Sequence, residues 1–197
     1  RHMIATRTPI SGASDHGVSE ALYLNDPDGH GIEIYRDRPK VEWPRMDGGD
    51  LSMTLDPFDF DSVLAEVTPG RIRWDGIADG TTIGHTHLHV ASTHDAEAFY
   101  IGVLGFDLVQ RYGGQATFIS AGGYHHHLGL NTWAGVGAPP PNEDAARLLW
   151  YEIVVPNAGA QREVLARLDG AAIPYAEKAG VAIFEDPSKN QIHLAIE

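Results

Sequence analysis

The chain has 197 residues, 43% of them hydrophobic and 21% charged, which is the composition of a globular protein long enough for one large domain or one and a half ordinary ones. A net charge of −13 argues against binding a nucleic-acid backbone or an anionic membrane surface, and no uncharged run approaches the ~20 residues of a membrane span. The absence of cysteine excludes disulfides, thiolate metal ligands, Fe–S clusters and a cysteine nucleophile, and a cytoplasmic location is the default expectation.

Arg1-His2-Met3 resembles the remnant of an expression tag and is set aside. Residues 4–35 read as strands, with "VSEALYL" (18–24) and "HGIEIYR" (30–36) joined by the turn "DPDG" (26–29). A Pro/Gly-rich linker follows, and "DPFDFDSVLAEV" (56–67) has the apolar spacing of a short helix behind an Asp56 cap. "GHTHLHV" (84–90) alternates strictly as a strand. "STHDAEAFYIGVLGF" (92–106) is a helix capped near Ser92 or Thr93 and stopped around Gly105. "FDLVQRY", "QATFISAG" and "YHHHLGLNTW" are strand-like, and "GVGAPPPNEDAA" is a loop. The order then recurs: strand 148–155, helix 159–170, and strands around 171–175, 181–185 and 191–196.

A longer repeat is also present. "DPDGHGIEI" (26–34) matches "DPSKNQIHL" (186–194) at a constant offset of 160 residues. Residues 4–36 therefore read as the C-terminal half of a first domain whose opening half would lie upstream. Residues 37–83 read as a linker with a short helix, and 84–197 as a complete domain of two modules, 84–133 and 148–197. The predicted fold is α+β, built from paired βαβββ modules. Isolated, the half-domain would expose open sheet edges, so it is expected to pair with its counterpart in a homodimer.

The stretches "SDHGVSEALYLNDPDGHGIEIY", "IGHTHLHV", "AEAFYIGVLGFDLV" and "SAGGYHHHLGLNTWAGVGAPPP" resemble the vicinal oxygen chelate superfamily of glyoxalases, bleomycin-resistance proteins and extradiol dioxygenases. The resemblance is strongest to two-domain catechol 2,3-dioxygenase-like proteins. It implies sheets curved around a divalent metal, Fe(II) foremost, with Mn(II) or Zn(II) as other candidates. Two histidines and a glutamate on one octahedral face would leave room for a catecholate and dioxygen.

Carried onto this sequence, the first ligand stands five residues before the strand's last valine, at His85. Period two puts His87 and His89 on the same face. The resemblance places the second ligand at Tyr151 and the third at His193, where the enzymes have histidine and glutamate. It matches Glu33 to a ligand, and Tyr23 to an active-site tyrosine, of a separate first-domain site near His16. The enzymes' additional active-site histidine falls at Gly12. His126 matches their acid–base histidine, and alternation separates it from His125 and His127. No GxSxG elbow, P-loop or dinucleotide fingerprint appears. A metal-dependent ring-cleaving dioxygenase acting on small aromatics is the expectation. The alternatives are a non-catalytic member that binds or sequesters such a compound, with Trp133, Trp150, Tyr100 and Tyr124 as pocket residues, and a functionally empty fragment.

Overall fold

The chain forms two units, Arg1–Ile83 and Gly84–Glu197, and the computed structural model describes residues 1–67 and 74–197. Residues 68–73, part of the expected linker, lie outside the described residues.

In the first unit a short helix α1 (His2–Thr6) occupies the start of the segment read as strand. Strands β1 (Gly12–Asp15), β2 (Ser19–Asn25) and β3 (Gly31–Asp37) follow as an antiparallel sheet in that order. The β2–β3 turn is built by Asp26, whose Oδ1 accepts from the amides of Asp28 and His30, while Gly29 adopts φ 90°. Register pairs Leu22 with Ile34 and Leu24 with Ile32 on one face, and Ala21 with Tyr35 and Tyr23 with Glu33 on the other. Arg38 binds Asp15 in a two-pronged ion pair and closes the sheet end. The helix α2 (Phe60–Ala65) is capped by Asp59, which accepts from Ser62 N, rather than by Asp56. Asp56 instead extends the sheet through a backbone bridge to Asp15.

The second unit contains two βαβββ modules of identical topology. The first is β4 (Thr86–His89), α3 (Thr93–Glu97, continuing as a wider π-turn over Ala98–Val103), β5 (Asp107–Tyr112), β6 (Ala116–Ser120) and β7 (Leu128–Asn131). The second is β8 (Tyr151–Val155), α4 (Ala158–Gly170), β9 (Ala176–Lys178), β10 (Val181–Glu185) and β11 (Gln191–Ile196). Strand orders are β4-β7-β6-β5 and β8-β11-β10-β9, with the first pair of each sheet parallel. Local chemistry sets the helix starts: Ser92 accepts from Asp95 N, and Asn157 from Ala160 N. The strand read at 171–175 begins later, at Ala176. The amides of Ala171, Ala172 and Ile173 still bond back to carbonyls in the last turn of α4, and Ala172 takes φ 54°.

One core joins the modules. Leu88, Phe99, Tyr100, Ile119, Leu128 and Leu130 pack in the same cluster as Val164, Leu168, Phe184, Ile192 and Leu194. Burying each large apolar side chain contributes roughly 1.5–3 kcal/mol before entropy is counted. Arg167 on α4 donates to the carbonyls of Val103 (2.7 Å) and Leu104 (2.9 Å), satisfying the end of the first module's helix from the second module. The turn after β10 repeats the chemistry of the β2–β3 turn. Asp186 Oδ1 accepts from the amides of Ser188 and Asn190, and Lys189 takes φ 70° where Gly29 stands in the first unit. The first unit's sheet is thus a partial module, and the second unit holds a complete pair.

Candidate functional site

On β4, Thr86, Leu88 and then Val90 turn toward the core, with Leu88 and Val90 buried, and His85, His87 and His89 take the opposite face. The expected strand over "YHHH" does not form. Gly122 and Gly123, at φ 66° and 71°, turn the chain, and β7 starts only at Leu128. Strand alternation therefore does not sort the three histidines: His125 and His126 are both buried, and their Nδ1 atoms are 2.9 Å apart in a hydrogen bond. His126 lies against His85, with ring centroids 4.2 Å apart, and edge-on to His87 at 5.5 Å.

Ligand nitrogens of His85, His87 and His126 all fall within 4.8 Å of one another. An ion bound about 2 Å from each of its nitrogens spreads them by about 3–4 Å, so this donor set fits a divalent transition metal with small ring adjustments. Phe118 flanks His126 at 5.0 Å, and Trp133 lies nearly parallel to the His87 ring at 6.2 Å. His87 rests directly over Gly129 of β7, where a Cβ would meet its ring at 2.8 Å. His127 stands apart, its Nδ1 accepting from Ala121 N at 3.2 Å, and burial together with the charge of His85 holds it below the usual imidazole pKa.

Tyr151 and His193 do not join this group. Tyr151 pairs in register with the buried Ile192 and packs on the core. Its hydroxyl is 2.7 Å from that of Tyr100, which donates to Asp186 at 2.9 Å, so Tyr151 is the donor to Tyr100. Burial pushes the Tyr151 phenol well above its usual pKa, so a phenolate there is disfavoured. His193 stacks on Trp150, with centroids 4.3 Å apart and planes at 5°, and contacts Gln191 at 3.2 Å. Strand pairing shows which residue matches His85: Leu88 pairs with Leu130 and Ile153 with Leu194, so Trp150 stands in the second module where His85 stands in the first. The five-residue count back from a strand's last valine, applied to Val155, ends on Trp150. His87 was legible in the same way, as the residue two positions from His85 on one strand face.

The first unit brings three other expected residues together. Tyr23 and Glu33 are cross-strand neighbours, and the Tyr23 hydroxyl donates to Glu33 Oε1 at 3.0 Å. His16 Nε2 lies 2.6 Å from the same hydroxyl, and its Nδ1 donates to the Thr54 carbonyl at 2.8 Å. Burial, reinforced by the Glu33 charge, pushes the Tyr23 phenol above its usual pKa. Imidazole, phenol and carboxylate thus stand in one row, with the Tyr23 hydroxyl in the middle. Gly12 pairs directly with Tyr23 across β1 and β2 and brings no side chain to it.

Residues 82–194 match the family model described as the Glyoxalase/Bleomycin resistance protein/Dioxygenase superfamily. The chain is 46% identical over 177 residues to a protein named catechol-2,3-dioxygenase from Bacillus subtilis (strain 168), covering 89% of this chain and 61% of that one. The chain therefore spans about three fifths of that curated relative's length. Solved structures it resembles include lactoylglutathione lyase from Agrobacterium tumefaciens, 21% identical, covering 60% of this chain and 96% of that one with a TM-score of 0.47. Another is a glyoxalase/bleomycin resistance protein/dioxygenase from Alicyclobacillus acidocaldarius, 15% identical, covering 58% and 90% respectively with a TM-score of 0.46.

Proposed function

The chain belongs to the glyoxalase/bleomycin resistance protein/dioxygenase superfamily, and from that premise we propose that it is a metal-dependent, extradiol ring-cleaving dioxygenase-like protein acting on catechol-type aromatics. The observation that carries this reading is the convergence of His85, His87 and His126 beside the aromatic faces of Phe118 and Trp133. The relative named catechol-2,3-dioxygenase supports it. The same reading treats the protein as cytoplasmic, and among the described residues no helix is long and apolar enough to cross a membrane.

In this proposal His85, His87 and His126 hold the metal, Fe(II) foremost, and Mn(II) or Zn(II) can take the same imidazole set. Bound there, the metal would supply the open positions at which a catecholate and dioxygen meet. Trp133 and Phe118 offer faces against which an aromatic ring can lie. His126, matched to an acid–base histidine, takes a ligand position instead. Tyr23, His16 and Glu33 form a separate polar cluster in the first unit, which we read as part of a first-domain site.

Metal content of anaerobically prepared protein, read together with the yellow ring-fission product of catechol, tests the proposal. Iron at one per chain, with both metal and turnover lost in His85→Ala, is the expected result. Protein that takes up no metal yet binds an aromatic ligand saturably would replace the enzyme reading with that of a sequestering protein. The all-imidazole donor set, which lacks the family's carboxylate, is the observation that favours this second reading.

We also propose the domain reading of residues 4–36 as the closing half of a first domain, and a homodimer formed through the exposed face of β3 that carries Ile32 and Ile34. Ile32 and Ile34 are 41% and 44% exposed, whereas their repeat counterparts Ile192 and Leu194 are 0% and 1% exposed in the core that includes Val164 and Leu168 of α4.

A further inference from the structure

The hydrogen bond between two adjacent buried histidines has a direction that the candidate metal centre determines. His125 is fully buried and His126 nearly so, and their Nδ1 atoms are 2.9 Å apart. Two imidazole nitrogens at that distance share one proton: one donates and the other accepts. A neutral imidazole carries a single ring proton, so the donor at this contact has its Nε2 deprotonated and the acceptor has its Nε2 protonated.

If His125 were the donor, His126 would carry its proton on Nε2 and could offer that nitrogen to no cation. If His126 is the donor, its Nε2 carries a lone pair and becomes the nitrogen that meets a metal. The ring contacts of His126 with His85 and His87 place it in the cluster where that lone pair is required. We infer that His125 is a positioning residue that accepts the Nδ1 proton of His126 and so fixes the tautomer and ring orientation in which His126 Nε2 serves as a ligand.

The inference rests on the metal-site reading above. It gives two members of the triplet different tasks: His126 ligates, and His125 holds it in the ligating form, as outer partners of metal-bound histidines commonly do. Tyr124, whose ring centroid lies 4.1 Å from that of His125, packs against the accepting ring. His127 is tied to Ala121 N and takes no part in the pair.

The test uses the intact chain, Zn²⁺ titration calorimetry and ¹⁵N imidazole NMR. Long-range ¹⁵N–¹H spectra of the wild type, metal-free and zinc-loaded, should show the proton of His126 on Nδ1 and that of His125 on Nε2. His125→Phe removes the acceptor and should weaken Zn²⁺ binding by about 10–100-fold. His125→Asn, whose Oδ1 replaces Nδ1 as acceptor, should restore binding to within about threefold of wild type. An Nδ1 proton on His125, or His125→Phe binding Zn²⁺ like wild type, overturns the inference. Equal weakening in both variants also overturns it, because the acceptor would then be irrelevant. Failure of the wild type to bind Zn²⁺ counts against the metal site itself, while the metal-free NMR spectrum still decides the direction of the His125–His126 bond. Should His125→Phe not fold, the His125→Asn affinity and the wild-type spectra carry the decision.

Discussion

His87 lies on Gly129 because nothing but hydrogen occupies the β7 side of that contact. Gly129→Ala would place a methyl 2.8 Å from the imidazole, and the ring, as the end of a side chain, would move rather than the strand. The variant should fold with a thermal midpoint near wild type, yet bind Zn²⁺ about tenfold more weakly, as calorimetry would show. At the same scale, Tyr151→Phe removes a hydroxyl that donates to Tyr100 in the core, not one that meets the histidine cluster. We expect it to cost about 1 kcal/mol in urea unfolding and to leave metal content unchanged. Loss of metal in Tyr151→Phe would restore Tyr151 to the ligand set.

At the scale of elements, α4 anchors the second unit. Leu168 is fully buried on its inner face, so Leu168→Ala should cost about 2–5 kcal/mol by denaturant unfolding. Arg167→Ala, which releases the carbonyls of Val103 and Leu104, should cost about 1 kcal/mol. Glu97 on α3 ties its helix to β5 and β6 through Arg111 and Thr117. The Arg111 hydrogen bonds, aided by the one from Thr117 and opposed by burial, hold the Glu97 carboxyl below its usual pKa. The folded chain thus binds that proton more weakly than the unfolded chain. The resulting stability is complete above the ordinary glutamate pKa of about 4.3 and falls away as pH drops through the lowered value. Glu97→Gln should flatten the stability profile below about pH 4.3, and an unchanged acid limb would refute the assignment.

At the scale of the whole molecule, the proposed dimer makes a direct prediction. Replacing Ile32 and Ile34 with lysine on the outer strand β3 should convert a dimer to monomers in light scattering, without altering Zn²⁺ uptake by the second unit. A wild-type monomer would refute the dimer.

The modular plan is legible from local signals in the chain. Period-two alternation marks β4, the recurring strand–helix–strand order marks the helix over 159–170, and the Asp26 and Asp186 turns use the same side-chain-to-amide bonds at a 160-residue offset. It also placed His85 and His87 on one face of β4, and Tyr23 and Glu33 near one another. Which donors converge, by contrast, depends on contacts between distant segments. His126 reaches His85 from a turn shaped by Gly122 and Gly123, where strand alternation does not apply. The side of β8 on which Tyr151 lies is set by its pairing with β11, forty residues further along the chain. A side chain's period is encoded by its neighbours, but the face it presents depends on the strand that pairs with it.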